Sequence, residues 1–220
     1  MNIKPLLALL FAMSCSSAAF AQERALDTCV VLQPTRISVD DVGDARDYPQ
    51  DGWLGLAPNR HHWALSPAHI RFEPMQWNDQ VVDVTSDLRK AIALFHCKLL
   101  KEGKVEAANM AFSNKERTIE PHAKPLRIGF RDHQYDLRYT PSGSVVVEGS
   151  GKRSILYDFD GSTPPFRASL IWAGDLDRDG ALDFLMAFES EISASFCLFT
   201  SGRATEDELV GLAGCMDASD

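Results

Sequence analysis

Beyond the N-terminus, no apolar run approaches the ~20 residues needed to cross a bilayer, which argues against a spanning helix in the body of the chain. No run of Lys and Arg exceeds two residues. The 22 basic residues face 31 acidic ones, for a net charge of −9. Nucleic acid and anionic membrane surfaces both demand clustered positive charge, so neither is expected as a partner. There is no C-x-x-C and no H-E-x-x-H spacing, so His61, His62, His69 and His96 do not form a recognisable zinc set. There is no G-x-S-x-G nucleophile elbow, no phosphate-binding glycine loop and no internal repeat.

What is present is an ordinary globular balance over 220 residues, 45% hydrophobic and 24% charged. That length suits one domain or two small ones and can bury a core without metals or disulfides. The first residues read as an export signal over 1–21. Lys4 supplies a positive start, Leu6 to Met13 an apolar core, and Ala19-Phe20-Ala21 a small-x-small cleavage site. Cleavage before Gln22 would take the net charge from −9 to −10. A buried N-terminal helix is the plain alternative, and Cys15 is a poor lipidation site.

Setting Cys15 aside leaves Cys29, Cys97, Cys197 and Cys215, an even number in a chain expected to be exported, hence two disulfides. Four cysteines allow three connectivities. Cys29–Cys97 with Cys197–Cys215 is favoured, because the last two lie close in sequence in neighbouring elements. Free buried cysteines are the alternative.

Strand-like segments dominate the chain. Short β-branched or alternating runs occur at Thr28 to Leu32, Arg36 to Val39, Trp53 to Leu56, His62 to Leu65 and His69 to Glu73. Together they suggest a small hairpin unit over 22–78. An antiparallel β domain over 79–220 would follow. Gln76 to Thr85 reads as a connection. One helix is predicted over 86–102, because Leu88, Ile92, Phe95 and Leu99 share a helical face and Gly103 offers a cap. The rival reading is a buried strand over Ile92 to Cys97. Further strands are expected at Leu126 to Phe130, Gln134 to Tyr139, Ser144 to Glu148, Arg153 to Phe159, Ala168 to Ala173, Leu182 to Phe188 and Ser195 to Thr200. Glu208 to Ala213 reads as strand or helix. The expected fold is mainly β, with antiparallel sheets forming a sandwich or partial barrel and short helical pieces elsewhere.

The most chemically specific stretch is Gly174 to Asp183. Asp175, Asp177, Asp179 and Asp183 stand at positions 1, 3, 5 and 9 of a loop, with Gly180 at position 6. A curled loop can turn alternate carboxylates inward, and Ala181 is placed to offer its carbonyl. Calcium takes about 6–8 oxygens in flexible geometry, so Ca2+ is the expected ion. An EF-hand would need a bidentate Glu at position 12, where Met186 stands, and helices on both flanks. The flanks here are apolar runs short enough for strands, with Phe184, Met186 and Phe188 on one face and Leu185 and Ala187 on the other.

The D-x-D-x-D-G-x-x-D pattern between apolar strands resembles the calcium loops of FG-GAP and VCBS repeats, found in integrin propellers and many exported bacterial proteins. That resemblance implies calcium held by Asp175, Asp177, Asp179, the Ala181 carbonyl and Asp183. It covers about 20 residues, and the chain carries one such loop where a propeller needs roughly 4–8 blades. The segment from Arg153 to Leu209 also resembles exported bacterial proteins of unassigned function.

Other constellations are weaker. Asp158-Phe159-Asp160-Gly161 reads as a turn. Trp53, Trp63, Trp77 and Trp172 would more often fill cores than build a sugar platform. Pairs such as Glu189 and Glu191 predict nothing alone. The expectation is therefore a periplasmic or secreted, calcium-stabilised binding or structural module with an unidentified protein or glycan partner. An exported hydrolase or a glycan-binding module is the alternative, and no catalytic residue is assigned.

Overall fold

The computed structural model describes residues 28–76, 78–109, 117–158, 167–191 and 193–219. The signal-like segment 1–21, Trp77 and Phe159-Asp160-Gly161 lie outside the described residues.

Strands are numbered in chain order, and most belong to one strongly curved antiparallel sheet. Its neighbours run β1 (Val30–Leu32), β7 (Ala93–His96), β3 (Trp53–Asn59), β4 (His62–Ala68), β8 (Gly103–Ala107), β14 (Arg167–Asp175), β15 (Asp183–Glu189), β16 (Ser193–Thr200) and β17 (Gly211–Ser219). A short strand, β9 (Thr118–Ile119), pairs with β14 off this path. The two edges nearly meet, for the Cys29 N–H beside β1 donates to the Ala213 carbonyl of β17 at 2.9 Å. The sheet is thus an almost closed barrel. It draws strands from both sides of residue 78.

Two smaller sheets accompany the barrel. One is a meander of β10 (Leu126–Phe130), β11 (His133–Tyr139), β12 (Val145–Gly149) and β13 (Lys152–Tyr157). The other has the order β2 (Arg36–Ser38), β6 (Asn78–Ser86), β5 (Ile70–Met75). A single-turn helix α1 (Val39–Val42) follows β2, capped by the Ser38 side chain.

Three cores result. Leu56, Leu65, Phe95, Trp172, Leu185 and Leu198 belong to the cluster that fills the barrel. Ile128, Leu137 and Val147 of the meander pack with Leu170, Phe184 and Met186. Ile37, Val82 and Val84 of the three-stranded sheet pack with Leu32, Trp53 and Leu94. Strand β15 is therefore buried on both faces, which is why Phe184, Leu185 and Met186 are consecutive apolar residues with no exposure. The face assignment expected from sequence holds there.

The helix predicted over 86–102 does not form. Residues 86–92 end β6 and turn, with Lys90 at φ 65°, outside helical geometry. The Ile92 N–H donates to the Leu56 carbonyl, and Ala93 to His96 become β7 between β1 and β3. Ala93 and Phe95 face the barrel interior cluster and Leu94 the three-stranded sheet. Two-sided burial makes the run apolar throughout, and this mimics a helical stripe. Gln76 to Thr85, read as a connection, is mostly β6. In the C-terminal segment, the last strand begins at Gly211.

Disulfides join Cys29 to Cys97 and Cys197 to Cys215, the favoured pairing. Register explains both. Val30 sits opposite His96, so Cys29 and Cys97 flank the same pair, and Cys197 lies directly opposite Cys215.

The barrel seam is tight at Gly214, where an added Cβ would collide with the Cys29 carbonyl oxygen. Gly214→Ala should cost about 1–3 kcal/mol of stability through overpacking. Urea unfolding measures this, and a loss indistinguishable from zero would show that the seam yields freely.

Candidate metal centre

The acidic loop sits at the bend of the β14–β15 hairpin, where Gly174 is paired with Asp183. Its conformation is set by where its apolar residues go. Leu176 is buried in the barrel cluster and Leu182 in the meander cluster, so the loop is pinned to two cores. A bulge at Ile171 shifts the facing of β14, which puts Leu170 against the meander and Trp172 inside the barrel. Gly180 has φ 93°, a conformation that favours glycine and lets the chain reverse.

The structure brings three of the predicted carboxylates together. Asp175, Asp177 and Asp183 each offer an oxygen, and these oxygens lie within 4.8 Å of one another. It is the one group of three or more His, Cys, Asp or Glu residues so placed among the described residues. Asp183 is fully buried. Its Oδ2 accepts from the Leu176 N–H at 2.6 Å and the Asp177 N–H at 3.2 Å, and its Oδ1 from the Ser201 N–H at 2.9 Å. Asp175 is also buried, at 6% exposure. Its Oδ2 accepts from the Gly180 N–H at 3.1 Å and from Arg131 at 3.3 Å. Its Oδ1 is buried with no hydrogen-bond partner among the described residues. Asp177 is half-buried, and its Oδ1 accepts from the Asp179 N–H at 3.2 Å.

Asp179 and Ala181 are placed differently. Asp179 is exposed and outside the triad; its oxygens accept from the Ala181 N–H at 2.8 Å and the Ser201 hydroxyl at 2.6 Å. Ala181 is half-buried in the same turn.

Charge at this bend is poorly compensated. Two charged carboxylate oxygens within 4.8 Å of one another repel by about 3 kcal/mol or more at an effective dielectric of roughly 20. Burial pushes the Asp183 carboxyl well above the usual carboxylate range, and the Asp177 charge adds to it. Burial also raises Asp177, helped by the charges of Asp179 and Asp175. Among the described residues, Arg131 in the β10–β11 turn pairs with the triad. Its guanidinium lies 2.9 Å from Glu106 and 3.3 Å from Asp175, and it also donates to the Gly180 carbonyl. Chemically, the triad can hold a proton or a hard cation.

The other candidates are spent elsewhere. Trp53 and Trp172 are buried, and Trp63 packs edge-on to Trp172 at 6.4 Å. His69 pairs with Asp87 at 2.8 Å, and His96 packs beside the Trp53 ring. Asp158 accepts from Ser144, and Glu189 pairs with Arg167. No helix among the described residues is long and apolar enough to cross a membrane. Sequence reasoning missed Arg131 and Ser201, which reach the loop from distant segments and carry no local signature.

No protein-family model, curated protein or solved structure matches the chain. The site is therefore interpreted from its own geometry.

Raised carboxyl pKa values give a definite sign. Between the unfolded and folded pKa values the folded state holds more protons, so stability falls as pH rises through that window. Carboxyls with lowered values, at Asp44, Asp87 and Glu208, act in the opposite sense, but they are ionised in both states above about pH 5. In chelator, the melting temperature should fall as pH rises above about 5. A flat or rising profile there would contradict the uncompensated triad.

Proposed function

We propose that this chain is an exported β protein whose acidic bend holds one calcium ion, and that it serves as a binding or structural module. The observation that carries the reading is Asp175 Oδ1, a buried carboxylate oxygen with no hydrogen-bond partner among the described residues, on a residue that clusters with Asp177 and Asp183. An orphaned charged acceptor is costly, and a cation removes that cost. Asp175, Asp177 and Asp183 would hold the ion, with the Ala181 carbonyl and Asp179 as the further ligands that the loop pattern implies. The oxygen-only donor set suits a hard cation, and the carboxylate count favours calcium over magnesium, which keeps its waters.

The ion's role is structural. Bound at the bend, it neutralises charge between the barrel and the meander. The likeness to FG-GAP and VCBS loops supports the choice of ion, and the signal-like N-terminus together with two disulfides supports a periplasmic or secreted location.

Affinity in the range of extracellular calcium modules, on the order of 10⁻⁴–10⁻³ M, gives about 1.4–2.7 kcal/mol of stabilisation at about 10 mM calcium. Thermal melting should therefore rise by several degrees in calcium relative to chelator. Asp177→Asn should reverse sign between the two conditions. It should melt above the parent in chelator, because a repelling charge is gone, and below it in calcium, because a ligand is weakened. Equal melting of the parent with and without calcium would refute the proposal.

A further inference from the structure

We propose that the ion site has a second wall, the bend between β16 and β17, and that Ser201 is the residue positioning the loop's carboxylates. The inference rests on the calcium reading above. Strand pairing sets Phe184 opposite Phe199, which brings the end of β16 beside Asp183. The chain then makes a 3-10 turn, Ser201–Arg203. The first two residues of that turn touch three loop aspartates. The Ser201 N–H donates to Asp183 Oδ1 at 2.9 Å. Its hydroxyl lies 3.1 Å from the same oxygen and 2.6 Å from Asp179 Oδ2. Gly202 closely approaches Asp177, for a Cβ on Gly202 would stand 3.1 Å from Asp177 Oδ2.

This arrangement is that of an outer shell around a metal site. Such donors fix ligand oxygens in orientation, and their loss typically lowers metal affinity about 10–100-fold. The serine hydroxyl has one proton for two carboxylates, so it bridges Asp179 and Asp183 and satisfies one at a time. The backbone N–H holds Asp183 whichever way the proton points. Asp175 is held instead by Gly180 and Arg131, while Asp183 takes donors from both its own loop and the second bend. A loop that bound calcium by its own pattern alone would not depend on residue 201.

Calcium titration of the full chain by isothermal calorimetry, beside melting in calcium and in chelator, tests this. Ser201→Ala should weaken calcium binding about 10-fold or more and shrink the calcium-dependent rise in melting temperature. Its melting in chelator should change far less. Ser201→Thr, which keeps the hydroxyl, should restore affinity. Gly202→Ala should also weaken binding, by crowding Asp177, and it guards against a Ser201→Ala chain that fails to fold. If both alanine variants bind calcium like the parent, or if Ser201→Ala lowers melting equally in both conditions at unchanged affinity, the second wall is refuted while the calcium reading stands. If the parent itself binds no calcium, both fail.

Discussion

Asp183 is a carboxylate with no exposure at the start of a strand buried on both faces. Much of the surrounding structure can be understood as the means of tolerating it. Burying an unpaired charge costs several kcal/mol or more, and donors from two bends are turned toward it. Two backbone N–H groups come from its own loop, and one N–H with a hydroxyl comes from the next bend. Those donors exist only if the loop curls, and the loop curls only if Leu176 and Leu182 enter their separate cores. Polar satisfaction and hydrophobic packing thus specify the same loop conformation. Arg131 pairs with Asp175 at 3.3 Å.

The barrel explains why the site is at this place. Strand β14 is an internal strand, paired with β8 on one side and β15 on the other, and Gly174 sits opposite Ala107 as well as Asp183. A Cβ at Gly174 would collide with the Glu106 carbonyl and the Trp172 ring. Close approach at that point lets the hairpin leave the barrel rim beside Glu106, while the β10–β11 turn brings Arg131 over the rim from the meander. One salt-linked group therefore connects the barrel, the loop and the meander. The ring of contacts is completed by Arg178, whose guanidinium donates to the Lys101 carbonyl before β8. The loop is less an appendage than a junction of three chain segments.

Local chemistry was legible in the sequence, and long-range pairing was not. The loop pattern, the hairpin at its flanks and the alternation of Phe184, Met186 and Phe188 against Leu185 follow from spacing alone. The Cys197–Cys215 link also followed, because a short separation between adjacent strands leaves few alternatives. The stretch 86–102 misled because a strand covered on both faces has no period. Leu88, Ile92, Phe95 and Leu99 fell at helical spacing by coincidence, and Leu88 joins a different core from the other three. Arg131 and Ser201 were illegible for another reason. Each lies some 20 or more residues from the loop's first aspartate, and nothing in either neighbourhood hints at an acidic target.

Charge balance at the bend supports the proposed cation. Arg131 carries one positive charge and divides it between Glu106 and Asp175. That leaves Asp177 and Asp183 with no cationic partner among the described contacts, and burial raises the proton affinity of both. Arg131 offsets only part of the carboxylate charge at the bend, and a dication would offset more of the remainder than a monovalent ion. The oxygens are also crowded by donors from two bends: Asp183 has both of its oxygens engaged, and Asp175 has one. On the proposal made above, an ion held there would tie the two bends to the Arg131 side of the junction.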